Sequence, residues 1–88
     1  MYNIAFVEDD KNQVELFKDY LSQYQEQTGQ QIKPHFFADG EDILAAMPIS
    51  LDIIFLDIMM RNVDGMTAAA KIREADKNVI IIFITNMS

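Results

Sequence analysis

Four short apolar runs punctuate the chain, and the stretches between them carry apolar residues every three or four positions. YNIAFV (2–7), IKPHFFA (32–38), LDIIFLD (51–57) and VIIIFIT (79–85) have the length and the branched and aromatic content of strands. Pro34 cannot donate to a ladder, so the second run belongs at a sheet edge. The third and fourth runs are apolar at successive positions, which implies cover on both sheet faces. From Asp10 onward, Val14, Phe17, Leu21 and Tyr24 trace one stripe of an amphipathic helix. Asp10 with Gln13 three residues later resembles a capping box, and Gly29 supplies a stop. Asp39-Gly40 turns the chain into a short helix through Ile43, Leu44 and Met47 that Pro48 closes. Gly65 opens another helix, with Met66, Ala69 and Ile72 on one face.

The order β-α-β-α-β-α-β, with crossovers of roughly 10 to 20 residues, favours an α/β fold: a doubly wound parallel sheet with helices on both faces. Such sheets hold ligands beyond the carboxyl ends of their strands. Those ends carry the chemistry here. The first run ends in Glu8, Asp9 and Asp10, the third in Asp57 and the fourth in Thr85. Asp57 closes an apolar segment with no cationic neighbour in sequence, and burying an unpaired carboxylate is costly. If the first and third strands are neighbours, the acids converge and repel one another. A hard divalent cation resolves that conflict, and Mg2+ suits one or two carboxylates, several waters and a phosphate oxygen. Asp57 is then a candidate nucleophile that takes up a phosphoryl group as an aspartyl phosphate, with Thr85 placed to donate a hydrogen bond to it. Taken singly, each residue has a plainer reading: an acid between a strand and a helix is commonly an N-cap, and threonine ends many strands. It is the combination at three strand ends that points to a site.

Other features carry less. His35 has no second ligand-type residue near it in sequence and reads as a surface or packing residue. Phe17, Tyr20 and Tyr24 fall at helical spacing as core and rim, and Met59, Met60 and Met66 read as fillers of irregular space near a loop. No glycine-rich phosphate loop and no Ser/His/Asp constellation is present.

Composition narrows the setting. At 88 residues the chain is one domain, and half of its residues are hydrophobic, which opposes disorder. The net charge of −7 argues against nucleic-acid or anionic-membrane binding by this segment. The absence of cysteine removes disulfides, zinc–thiolate sites and thiol nucleophiles. No apolar run reaches membrane-spanning length, and the acids at 8–10 interrupt any signal-peptide pattern, so a cytoplasmic setting is expected.

Three segments in this order and spacing, IAFVEDD, DIIFLDIMMRNVDGM and VIIIFIT, resemble the receiver domain of bacterial two-component response regulators, from residue 2 to the last residue. The resemblance implies a flavodoxin-like sheet and an Mg2+ cofactor. Asp9 would be a direct metal ligand, Glu8 would act through water, and the Met59 backbone carbonyl would be another ligand. Asp57 would be both ligand and phospho-acceptor for a histidine kinase, and Thr85 the switch hydroxyl. It implies a signalling domain that assists its own phosphorylation and dephosphorylation rather than a turnover enzyme. VEDD and FLDI are similar to the subclass whose outputs are LytTR-type DNA-binding domains, hence transcription regulation.

Two departures from the family pattern stand out. Arg61 occupies a loop position where the family usually has proline, which puts the loop geometry in question. The family also continues past its fourth strand through a helix, a fifth strand ending in a phosphoryl-contacting lysine, and a final helix. The chain is therefore expected to be a C-terminally incomplete receiver over residues 1–88, lacking that helix-strand-helix. None of Lys11, Lys18, Lys33, Lys71 and Lys77 follows a strand in the required way. Metal binding with weak or absent phospho-switching is expected, together with self-association through the fourth-strand edge or by exchange of elements. Two alternatives compete with this reading. A haloacid-dehalogenase-type phosphotransferase would need D-x-D-x-T after its first strand, which VEDDKNQ does not provide. A degenerate receiver acting as a phosphate-independent interaction module is favoured by Arg61 and by the expected truncation, and opposed by the intact acids at 8, 9 and 57.

Overall fold

The computed structural model describes residues 1–60 and 64–85. Seven elements follow one another: β1 (Tyr2–Val7), α1 (Lys11–Thr28), β2 (Ile32–Phe37), α2 (Gly40–Ala46), β3 (Ile53–Asp57), α3 (Gly65–Ala75) and β4 (Ile80–Ile84). The strands form one parallel sheet in the order β2-β1-β3-β4. The chain thus reverses direction across the sheet between β1 and β3, and the strand ends at that reversal carry the acids.

The elements begin and end for local reasons. Asp10 caps α1 by accepting from the Asn12 N–H at 2.9 Å, and Gly29 closes it in the left-handed conformation (φ 73°), donating its N–H to Gln25 O. Asp39 does more than turn the chain, because its carboxylate caps α2 through the Asp42 N–H. β3 starts two residues later than the apolar run suggests. The Asp52 side chain accepts from the Asn3 N–H at 2.8 Å, where a ladder carbonyl would otherwise sit, and the Asp52 N–H returns to Asn3 O. Arg73, in the last turn of α3, donates to Val79 O at 2.6 Å and ties that helix to the start of β4.

The two sheet faces are unequally covered. On one, Ala5, Val7, Ile54 and Leu56 pack against Ile43 of α2 and Ala68, Ala69 and Ile72 of α3 in a sealed core. α3 is rotated relative to the stripe read from the sequence: Gly65, Ala68, Ala69 and Ile72 are buried while Met66 is exposed. Of the three methionines expected to fill space, Met60 packs against the core, whereas Met59 and Met66 face out.

The opposite face rests on aromatic rings. Phe36, Phe6 and Phe55 lie in register across β2, β1 and β3, and Phe17 of α1 stacks on Phe6 with centroids 4.9 Å apart. α1 buries none of its residues fully, and Tyr20 and Tyr24 form its exposed rim. Beside it an apolar groove of about 550 Å3 opens between Phe17, Leu21, Ile53, Phe55 and Ile84. β4 is therefore not covered on both faces as its sequence suggests: among the described residues β3 is its one neighbour, and Ile80, Ile82 and Phe83 are exposed.

Phe6 is the buried hub of three ring contacts, each adding to the area that it removes from water. Phe6→Ala should cost about 3–5 kcal/mol, whereas Tyr20→Ala on the rim should cost about 0.5 kcal/mol or less. Urea denaturation followed by far-UV circular dichroism checks both, and similar losses for the two variants would contradict this account of the packing.

Candidate metal and phospho-acceptor site

β1 and β3 run side by side in parallel register, with Val7 beside Leu56, so both chains emerge at the same end of the sheet. Glu8 and Asp9 follow β1 directly, and Asp57 is the last residue of β3. One carboxylate oxygen from each of Glu8, Asp9 and Asp57 lies within 4.8 Å of the others. Glu8 and Asp57 are buried, at 5% and 3% exposure, and Asp9 is open to solvent. Among the described residues no basic side chain lies within ion-pair distance of any of the three.

Local main chain orients the two buried acids. Glu8 Oε1 accepts from the Asp10 N–H at 3.1 Å, and Asp57 Oδ1 accepts from the Met59 N–H at 3.1 Å. Burial pushes the Glu8 carboxyl from an ordinary 4.5 up to about 7, against the opposing pull of the Asp10 N–H; the adjacent Asp57 adds to the rise, through its charge and a side-chain hydrogen bond, and Asp9 adds less. A buried group holding its proton near neutrality beside two other carboxylates marks a place where negative charge is crowded beyond what the protein compensates. That donor set, hard oxygens with one edge open to water, fits a hard divalent cation.

Thr85 follows Ile84, the register partner of Asp57, and the Ile58 N–H donates to Ile84 O at 3.0 Å. Thr85 thus leaves the sheet next to the peptide that follows Asp57, and it is exposed. Met59 lies on the same loop, two residues past Asp57. Arg61 lies outside the described residues. His35 is half-buried on the β2 edge, its Nε2 3.3 Å from Asn3 Oδ1, and is not part of the acid cluster.

Two residues at the head of α3 do more than the sequence pattern shows. Asp64 caps the helix by accepting from the Thr67 N–H and hydroxyl, bonds that hold its carboxyl below the usual range. Gly65, read as a helix opener, lies against the backbone of Asp57 and Ile58. Glycine in DG shows the turn, but no sequence pattern shows a tertiary approach of this kind.

No helix among the described residues is long and apolar enough to cross a membrane. The chain is 38% identical over 84 residues to the transcriptional regulatory protein CssR of Bacillus subtilis, a match that takes in 96% of the chain and 35% of CssR. The chain spans about a third of the length of the curated relatives it matches. Among solved structures, the response regulator TrrA of Thermotoga maritima in complex with Mg2+-BeF superposes with a TM-score of 0.84 at 29% identity, covering all of this chain and 72% of that one. A complex of the histidine kinase ThkA with TrrA gives a TM-score of 0.78 at 31% identity, again covering all of this chain and 72% of that one. The sheet order, the acids at the ends of β1 and β3, and a match of residues 4–88 to the response regulator receiver domain agree, and the chain belongs to that family of two-component signalling domains.

Proposed function

We propose that the chain is the phosphoryl-accepting part of a response regulator, taking a phosphoryl group from the phosphohistidine of a histidine kinase onto Asp57. The observation that carries this reading is the convergence of Glu8, Asp9 and Asp57 with two of the three buried and no basic partner among the described residues. The Mg2+-BeF complex of TrrA and the ThkA–TrrA complex support it by similarity. Asp9 and Asp57 would hold Mg2+ directly, Glu8 would hold it through water, and the Met59 carbonyl would complete the protein's share. Bound there, the ion would neutralise charge on the transferring phosphoryl group.

The chain's own groups do the rest. The Met59 N–H orients the Asp57 carboxylate through Oδ1, and an oxygen of that carboxylate would be the attacking atom. As the new P–O bond forms, the P–N bond to the donor imidazole breaks and the ring nitrogen keeps the electron pair. Thr85, one residue past the β4 partner of Asp57, would donate its hydroxyl to a phosphoryl oxygen. On this reading the chain is not a turnover enzyme; it assists its own phosphorylation and dephosphorylation. It acts in the cytoplasm, and the similarity to CssR favours a transcriptional output carried by a part other than this acidic segment. The intact acids oppose the alternative of a phosphate-independent interaction module.

Self-association belongs to the same proposal. The outer strand β2 carries Lys33, Pro34 and His35, devices that discourage edge pairing, whereas β4 has neither charge nor proline. A second copy pairing along β4 would cover Ile80 and Ile82. Sedimentation velocity of the 88-residue chain should show a dimer that Ile82→Lys converts to monomer; a monomer at all concentrations would remove this element.

Two further outcomes test the site. Asp57→Asn should abolish phosphoryl uptake from a small acyl phosphate, read by 31P NMR, and should weaken Mg2+ by at least about tenfold, a loss that even an outer-shell partner can cause. Unchanged uptake in that variant would refute Asp57 as acceptor.

The Glu8 proton gives a sign for pH. The folded chain keeps it to about pH 7, whereas the unfolded chain releases it near 4.5. This group's contribution to stability is therefore fully present below about 4.5 and is lost as pH rises through 7. In metal-free protein the difference in urea midpoint between wild type and Glu8→Gln should move in favour of Glu8→Gln between pH 4.5 and pH 8. A difference independent of pH would contradict the shift.

A further inference from the structure

The phospho-acceptor reading leaves open what fixes the backbone under Asp57, and α3 meets that backbone at Gly65. Gly65 is the first residue of α3 and is buried. Its N–H donates to Ile58 O at 2.9 Å. A Cβ built at this position would run into the carbonyl oxygen of Asp57 and would stand 2.7 Å from Ile58 Cα and 3.1 Å from the Asp57 carbonyl carbon. Its φ is not in the left-handed region, so the position needs no glycine for conformational reasons. What it requires is the absence of a side chain, because the helix sits directly on main chain.

Gly29 is the opposite case. It has φ 73° and nothing within 4 Å of a built Cβ. One glycine serves backbone conformation in open space, and the other serves contact with the acceptor strand.

The peptide after Asp57 is held from two sides. The Ile58 N–H is bound to Ile84 O of β4, and its carbonyl is bound to the Gly65 N–H of α3. The Asp57 carboxylate hangs from the same short stretch of chain. Carbon–carbon contacts settle near 3.5 Å, so a methyl group at Gly65 would force the Asp57–Ile58 backbone and the head of α3 apart by roughly 0.8 Å. Functional groups tolerate displacements of about 0.5 Å from productive geometry. The needed shift exceeds the tolerance.

We infer that Gly65 is a positioning residue for Asp57: by letting α3 seat on the Asp57–Ile58 backbone, it holds the acceptor carboxylate in register with Glu8 and Asp9. The inference rests on the phospho-acceptor reading, so the experiment separates the two. Mg2+ affinity, phosphoryl uptake from a small acyl phosphate and urea midpoint are measured for the wild-type chain, Gly65→Ala and Gly29→Ala. Gly29→Ala is a control whose strain lies at the far end of α1.

Gly65→Ala should raise the Mg2+ dissociation constant about tenfold or more, since misplacement by 1 Å can cost a factor of 100. It should also slow uptake at saturating Mg2+. Gly29→Ala should lower the urea midpoint and leave both site readouts at the wild-type value. Wild-type affinity and uptake in Gly65→Ala, or losses in both variants that follow their urea midpoints, would overturn the inference while the reading of Asp57 stands. A wild-type chain that takes up neither Mg2+ nor phosphoryl would overturn both. If Gly65→Ala does not fold, the Gly65 amide resonance of the wild type decides. It should shift on Mg2+ addition together with Asp57 and Ile58, and a Gly65 amide that stays fixed while Glu8 and Asp9 move would exclude the coupling.

Discussion

Two buried carboxylates side by side are the constraint that the rest of the structure answers. Glu8 and Asp57 have lost most of their water, and with both ionised at the separation seen they would repel by about 3–4 kcal/mol at an effective dielectric near 20. Folded domains are stable by only about 5–15 kcal/mol, so such a term is a large fraction of the total. The fold therefore concentrates its packing where the acids are held. The sealed face of the sheet, with Val7, Ile54, Leu56 and the small residues of α3, ends directly beneath them.

That arrangement explains the asymmetry of the two faces. α2 and α3 close over the side of the sheet where Ala5, Val7, Ile54 and Leu56 point, and small residues in α3 let the helix come close to the strands. The other side depends on four stacked phenylalanines and a helix that buries no residue completely. Ring stacking suits this role, because large flat side chains in register across three strands cover much area. The groove lies beside α1 on this face.

The parallel sheet and the acids at its strand ends were legible in the sequence because both depend on local signals, whereas the adjacency of β1 and β3 followed only from the family resemblance. Alternating strand and helix periods fix the parallel topology, and acids at the ends of apolar runs fall at the carboxyl edge whatever the details of packing. Three features were not legible, each for a tertiary reason. Met66 lies at helical spacing from Ala69 and reads as a core residue, but the close approach of Gly65 to Asp57 sets the rotation of α3 and turns Met66 outward. The late start of β3 comes from an Asp52 carboxylate that replaces a ladder carbonyl, a substitution that apolar periodicity does not register. The exposure of β4 depends on what lies beside and over it, and its own composition carries no record of that.

The acids are aimed by a device that the chain repeats. Glu8 accepts from the amide of Asp10, Asp10 from that of Asn12 and Asp57 from that of Met59, in each case two residues further along. Each carboxylate thus takes one backbone donor from its own local turn. The sheet then has only to bring the two strand ends together, which backbone pairing of Val7 with Leu56 accomplishes one residue before either buried acid. An amide in place of a carboxylate keeps the oxygen that accepts from the main chain and loses the charge. Asp57→Asn therefore alters the electrostatics and nucleophilicity of the site while keeping the oxygen that its turn requires, and a loss of phosphoryl uptake in that variant reports on chemistry.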